Sequence, residues 1–418
     1  MDATGVMTRQ TKLFLFLLLL VNILNFIDRQ LPFILAEAIR RDLHLTDTQI
    51  GLMGGATFAL FYAFVSLPMA QIADRWSAKW TIVGCISVWS AMTAMAGFAQ
   101  NFVQIALCRM GVAIGEAGCT PCSHALITGL VPRHRRALAI GIFAAGTPTG
   151  IMIGMGLGGW LSDIGSWRMA FILIGAPGIL LALILALVAP NPRAAHDGAP
   201  GLSIFGSVRV LFSSRSYAWL VAGMASFGIS GYAAFAFGAP FFIRVLGLTA
   251  TQAGLLFGLL TGGTGVLGAL TGGLAEDWLS KRDRRYALYL VAGGFALSAP
   301  LAIAAWFSTS AGVAVAFLLL PTICNIFHVG PCYSIAQSLA PQSARAAASA
   351  IPLFGQALVG ASVGPVLVGM ISDHLKADYG VDSLRYGLAV ASAFYLLTAF
   401  LLMRSAATLR EDLAMREG

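Results

Sequence analysis

Two carboxylates and two guanidinium groups stand inside stretches that otherwise carry no charge. Asp28 and Arg29 interrupt residues 12–38, and Arg109 and Glu116 interrupt residues 102–131. A carboxylate in apolar surroundings takes up a proton readily and gives it back when it is wetted or faces a cation. A guanidinium grips anions through several fixed donors. Asp28 and Glu116 are therefore candidate proton-coupling groups. Arg29 and Arg109 are candidate headgroup or charge-pair partners, with Asn25 one turn before Asp28 as a candidate cavity-lining residue. Each ion at the centre of a membrane helix costs about 2.5–3.5 kcal/mol even on the insertion scale, so it persists only when paired or hydrated. Asp28 lies sixteen residues after Lys12, about 24 Å along a helix, and Glu116 lies fourteen after Phe102, about 21 Å from the other side. The depths overlap. They are compatible with Asp28–Arg109 and Arg29–Glu116 pairs and do not choose among pairings. The competing reading is a static ion pair pinning the first span to the fourth.

These groups need helices that cross a bilayer, and the composition supplies them. Hydrophobic residues make up 58% of the 418 and charged residues 11%, against about a quarter charged in soluble domains. A soluble enzyme and a disordered chain are both excluded. A spanning helix needs about 20 apolar residues. Stretches 48–73, 80–108, 137–162, 169–192, 216–243, 245–275, 286–344 and 346–372 lack acidic and basic residues. The long stretch 286–344 breaks at Ser308-Thr309-Ser310 and Gly312 into a hairpin. Adding 12–38, 102–131 and 384–404 gives twelve spans and an all-α membrane protein. No secretory cleavage site follows the first apolar run, which is read as an uncleaved first span.

The net charge of +8 lies between the spans and not in a patch interleaved with aromatics, so no nucleic acid is expected. Of the 26 Lys and Arg residues, eighteen fall on one side of the membrane and six on the other, with Arg29 and Arg109 left within it. The positive-inside rule then puts both termini in the cytoplasm. Arg40-Arg41 dissents, offset by Asp42 and Asp47. The expected setting is a bacterial inner membrane.

The chain repeats itself at half its length. Pro132-x-x-x-Arg136 returns as Pro341-x-x-x-Arg345, Pro121-Cys122 as Pro331-Cys332, and Gly159-x-x-Ser162-Asp163 as Gly369-x-x-Ser372-Asp373. Asp74 after the second span has Asp277 after the eighth. Ordered matches at nearly one offset predict two parallel six-helix halves around a central site. The expected division is 1–189, a linker at 190–215, and 216–418. Residues 202–212 are either plain linker or a short helix on the membrane surface.

The segment Ala70-Gln71-Ile72-Ala73-Asp74-Arg75-Trp76-Ser77-Ala78-Lys79 resembles the signature loop of the major facilitator superfamily. Ala70 and Ser77 stand where that signature has glycine. Gly273-Leu274-Ala275-Glu276-Asp277-Trp278 is a looser second copy. The four intramembrane charges, Pro132-Arg133-His134-Arg135-Arg136 and Gly158-Gly159-Trp160 resemble the Spinster-like branch. Carriers of sugar acids have similar Asp-Arg and Gly-x-Glu-Ala elements. The resemblance covers essentially the whole chain and implies a secondary transporter with alternating access. A carboxylate facing a helix N-terminus gains about 0.3–2 kcal/mol. Asp74 near Arg345, and Asp277 near Arg136, are accordingly expected to gate the inner side, with Arg75, Lys79, Asp163 and Asp373 as further gating residues. Solvated loop charges are the plainer alternative.

The second half has no counterpart to the four charges. Tyr232 and Phe235 in the seventh span, and Asn325, His328 and Tyr333 in the tenth, are its candidate cavity lining. The rival reading has the rings facing lipid and His328 bonding between helices. A charged half opposite an aromatic one suits an amphipathic substrate, and the Spinster resemblance implies lysolipids or sphingoid-type lipids. A proton symporter of small organic anions (sugar acids or aromatic acids) and a multidrug proton antiporter are the alternatives. No phosphate-cradling loop, nucleophile–base set or metal-ligand cluster is present, so no cofactor, no metal and no enzymatic activity are expected. Cys119-x-x-Cys122 lacks a redox context and reads as packing. The expected partners are protons, a small amphipathic or anionic substrate and the lipid bilayer, with the chain a monomer.

Overall fold

The computed structural model describes residues 9–75, 77–188 and 204–417. Residues 190–203, most of the expected 190–215 linker, lie outside the described residues. The rest is helical, with no strand among the described residues. Helix 1 is Arg9–Ile34, followed by a short Ala36–Asp42 helix. Helix 2 runs as Asp47–Gly51, a π turn at Leu52–Ala56, and Thr57–Arg75. Helix 3 is Ala78–Ala96, and helix 4 is Phe102–Glu116 continued by Cys119–Leu130. Helix 5 is Arg136–Ile164 and helix 6 is Trp167–Val188. After a short Ile204–Leu211 helix come helix 7 (Arg215–Arg244), helix 8 (Ala250–Leu279) and helix 9 (Arg284–Trp306). Helix 10 is Ala311–Phe327 continued by Val329–Ser338. Helix 11 is Arg345–Tyr379 and helix 12 is Ser383–Glu417. Among the described residues, ten stretches are long and apolar enough to cross a membrane; the last, Ala347–Met415, takes in most of both helix 11 and helix 12. Helix 3, which is not among these stretches, brings the long helices of the described residues to twelve.

Prolines place the breaks that matter. A proline lacks the N–H that would bond the residue four back, and its ring crowds that carbonyl. Pro121 withdraws this bond from Ala117, and helix 4 breaks just after Glu116. Pro331 withdraws it from Phe327, and helix 10 breaks at His328. The repeated Pro-Cys pair is thus a repeated helix break. Pro32 in helix 1 faces the Asp28 carbonyl in the same way.

The contacts divide into two units. The first comprises 1–45, 57–197 and 249–258. Its core joins Phe14, Leu18 and Val21 of helix 1 to Ile82, Ile86 and Trp89 of helix 3, with Leu126, Phe143 and Leu185 from helices 4, 5 and 6. Helix 5 meets helix 1 along glycines; a Cβ on Gly150 would stand 2.6 Å from the Ile23 carbonyl oxygen. Only glycine permits this approach, which seats the helix-1 turn that carries Asp28 and Arg29.

The second unit comprises 46–56, 198–248 and 259–418. Helices 7 and 11 touch backbone to backbone, since a Cβ on Gly360 would stand 2.5 Å from the Gly228 carbonyl carbon. The Ser230 hydroxyl donates to the Ala391 carbonyl of helix 12 at 2.8 Å, and Trp306 Nε1 of helix 9 donates to Ser392 Oγ at 2.9 Å.

At the turn before helix 9, Asp283 accepts from the Arg285 guanidinium and backbone N–H, and from Arg410 of helix 12 at 2.6 Å. These bonds, the Arg285 side chain first, push its carboxyl down to about 2. A carboxyl depressed below its unfolded value of about 3.9 stabilises the fold fully above that pH and stops doing so as pH falls through its folded value. The unfolding-midpoint difference between wild type and Asp283→Asn is expected to be constant from pH 7 to about 5 and to close between about pH 4 and 2. A difference that stays open at pH 2 in detergent melts would contradict this assignment.

Candidate functional site

The four intramembrane charges converge inside the first unit. Arg29 Nε donates to Glu116 Oε2 at 2.9 Å, and Nη2 donates to the same oxygen at 2.5 Å. Glu116 is 1% exposed, whereas the Arg29 side chain keeps 24% of its surface. Asp28 is 2% exposed and lies in the field of both Arg109 and Glu116, facing Thr93 and Trp89 of helix 3. Arg109 is 1% exposed. Of the pairings left open by depth, Arg29–Glu116 is the hydrogen-bonded one.

Protein bonds do not saturate this cluster. Asp28 Oδ1, Glu116 Oε1, Arg109 Nε and Nη2, Asn25 Nδ2, Trp89 Nε1 and Thr93 Oγ1 are buried without a hydrogen-bond partner among the described residues. Buried polar atoms are ordinarily bonded, so each of these calls for a proton, a water, a ligand or a functional role. The cluster has acceptors for a proton and donors for an anion, and one of its two cations, Arg29, is within reach of a ligand.

Helix 2 and helix 8 each begin with a capping box: Thr46 with Gln49 and Thr249 with Gln252 exchange side-chain and backbone bonds. Within the second unit, Asp373 accepts from the Asp47 and Thr48 backbone N–H groups at 2.9 and 2.8 Å and from the Thr48 hydroxyl at 2.7 Å. Within the first, Asp163 does the same for Ala250 (3.1 Å) and for Thr251 (2.8 Å and 2.6 Å). The repeated Gly-x-x-Ser-Asp elements are a pair of helix caps. Their surroundings differ. Arg244 donates to both Asp47 oxygens at 2.7 Å, and Ser372 donates to Asp47 at 2.6 Å, all buried. The Asp163 cap is exposed, and among the described residues no arginine bonds to it.

In the second unit, His328 is 1% exposed, its Nδ1 is 3.2 Å from the Cys324 carbonyl oxygen, and its ring lies 4.4 Å from that of Phe227. Asn325 accepts from the Tyr395 hydroxyl at 3.0 Å. Tyr232, Phe235 and Tyr333 are half-buried. Among the residues expected to gate, Asp277 and Arg345 are exposed and Arg136 Nε donates to the Val131 carbonyl at 3.1 Å. The Lys79 ammonium sits over the Trp80 ring. The Asp74 and Arg75 side chains lie outside the described set. The six cysteines are free and buried, and no group of metal-binding side chains is gathered among the described residues.

Sequence reasoning missed the buried Asp47–Arg244 pair, the helix-3 wall of Trp89 and Thr93, and Phe58 and Tyr62 of helix 2. A signal for the first existed. Leu45-Thr46-Asp47-Thr48-Gln49-Ile50-Gly51 recurs as Leu248-Thr249-Ala250-Thr251-Gln252-Ala253-Gly254, a second copy of the capping box. The other residues look like ordinary apolar helix.

The sequence profile of the Major Facilitator Superfamily matches residues 18–365, most of the chain. The chain belongs to this superfamily. An MFS-type efflux pump of Mycolicibacterium smegmatis is 35% identical over 399 residues, covering 95% of this chain and 92% of the pump. Protein spinster homolog 1 of Xenopus tropicalis is 26% identical, covering 95% and 82%. Among solved structures, a bacterial homologue of the human lysosomal transporter Spinster, inward-facing and unoccupied, superposes with a TM-score of 0.88 at 28% identity, covering 97% and 99%. This superfamily member is therefore a multi-pass membrane transporter of small molecules, not an enzyme, with Spinster proteins among its relatives.

Proposed function

We propose that the protein is a proton-coupled secondary transporter that moves an amphipathic substrate with an anionic or zwitterionic headgroup by alternating access. The observation that carries this reading is the charge cluster: two buried carboxylates, one fully buried arginine, and one arginine that is both paired to Glu116 and partly exposed. Protonation of Glu116 removes the charge that Arg29 faces. Arg29 then shifts its bonding to an anionic headgroup, and deprotonation recaptures it. Asp28 is the second proton site and Arg109 its fixed counter-charge. Asn25, Tyr232, Phe235, Asn325, His328 and Tyr333 are read as lining, which gives the substrate's apolar body an aromatic surface. Asp163 and Asp373 act as outer gate residues by capping helices, and Asp74, Arg75, Lys79, Asp277, Arg136 and Arg345 as inner ones. The halves 1–189 and 216–418 work as a monomer with both termini in the cytoplasm of a bacterium.

The similarity to an efflux pump favours export as the direction. A multidrug proton antiporter is the alternative it supports, and a symporter of sugar acids is the one that the Asp-Arg element supports. Proteoliposomes loaded with a lysolipid, a hexuronate or a cationic dye, with an imposed pH gradient, separate the three. Gradient-driven movement of the lysolipid alone is expected. Transport of the hexuronate or the dye in its place would overturn the substrate reading.

A further inference from the structure

Helix 2 brings two aromatic residues to the charge cluster, and nothing described so far uses them. Phe58 and Tyr62 are one turn apart on the same face, and their rings stack with centroids 5.5 Å apart and planes 22° from parallel. The Arg29 guanidinium carbon lies 4.9 Å from the Phe58 centroid, 5.3 Å from that of Tyr62 and 5.0 Å from that of Phe26 in its own helix. The Arg109 guanidinium carbon lies 5.0 Å from the same Phe58 ring. Tyr62 also faces Arg29 through its hydroxyl.

An aromatic face is electron-rich and attracts a cation, most strongly where water is excluded. Phe58 offers that face to two guanidinium groups that would otherwise only repel each other. Glu116 contributes a single oxygen to Arg29, its Oε1 being without a partner. Three rings stand around the guanidinium that this oxygen holds. The plate begins two residues after the π turn of helix 2, and such turns recur at functional sites.

We infer that Phe58 and Tyr62 are positioning residues: they hold the Arg29 guanidinium on Glu116 as a caged cation, and an incoming anion must draw it off this plate. The second clause rests on Arg29 being the headgroup arginine; the first does not. If the rings were plain filler, methionine would serve as well as phenylalanine.

The test uses the full chain in lipid nanodiscs with no substrate and no pH gradient. Phenylglyoxal modifies exposed arginines, and mass spectrometry reads the rate at Arg29. Phe58→Met and Tyr62→Leu are expected to speed labelling about tenfold, which lies between the sizes of an exposed and a fully desolvated cation–π contact. Phe58→Tyr keeps the wild-type rate, and Tyr62→Phe, which retains the ring and loses the hydroxyl, falls between wild type and Tyr62→Leu. Wild-type rates in Phe58→Met and Tyr62→Leu overturn the inference. If either fails to fold, a cycle of thermal midpoints decides with the folded one: its effect and that of Arg29→Gln are expected to be non-additive, and strict additivity overturns the inference. Failure of the transport reading appears elsewhere, as gradient-driven transport that survives loss of the carboxylates.

Discussion

With Glu116 replaced by glutamine, the protein is expected to exchange substrate across a membrane yet fail to move it against a gradient. Glutamine keeps the shape of a protonated glutamate and still offers Arg29 an oxygen, but it never returns to a charge. Arg29 Nε and Nη2 both lean on one Glu116 oxygen, so the charge-assisted bonds weaken permanently to neutral ones. The variant stays in the substrate-accepting half of the cycle. Counterflow between equal pools continues, and pH-driven accumulation collapses to background. Asp28→Asn is expected to do the same, because Asp28 is 2% exposed and shares the field of Arg109 and Glu116. The measurement is paired counterflow and gradient-driven transport in proteoliposomes. Full pH-driven transport in both variants would sink the coupling role.

The second large effect is one of stability. Arg244→Ala takes from buried Asp47 the cation that donates to both of its oxygens, and removing one partner of a buried ion pair costs about 3–5 kcal/mol. The side chains involved are 7% and 3% exposed. Arg168→Ala makes the contrast. Its pair with Asp42 is 35% and 46% exposed, and such surface pairs contribute about 0–1 kcal/mol. Arg168 nonetheless holds the Asp42 carboxyl below its ordinary value by direct hydrogen bonding. Replacing both Arg244 and Asp47 by leucine is expected to recover part of the loss, since two apolar groups leave no orphan charge. Denaturant or thermal unfolding in detergent measures all three. Equal losses from Arg244→Ala and Arg168→Ala would show that burial does not set the value of the pair.

The helices and the repeat were legible because membrane helices are written in long runs, and because a duplicated chain repeats its prolines and aspartates. Depth arithmetic brought Asp28, Arg29, Arg109 and Glu116 to one level. It did not choose the pairing, because rotation about a helix axis depends on packing, here the seat of Gly150 on helix 1. Phe58 and Tyr62 escaped because a phenylalanine in an apolar run is indistinguishable from one facing lipid. Asp47 and Arg244 escaped because each reads as a loop charge; only the fold lays the end of helix 7 and the cap of helix 11 against the start of helix 2 in the second unit. The repeated Gly-x-x-Ser-Asp was visible as a pattern, but its work as a cap needs the partner helix to be seen.

The π turn at Leu52–Ala56 has a consequence for the rotational phase of helix 2. A π turn inserts one residue beyond the regular count, and each α-helical residue advances the helix by about 100°. Deleting a single residue from 52–56 would let the helix close into regular register while Thr46 and Gln49 still start it. Phe58 and Tyr62 would be rotated about the helix axis by about a quarter of a revolution relative to the start of helix 2. The widened turn is therefore a phasing device: it sets the rotation of Phe58 and Tyr62 about the axis of helix 2.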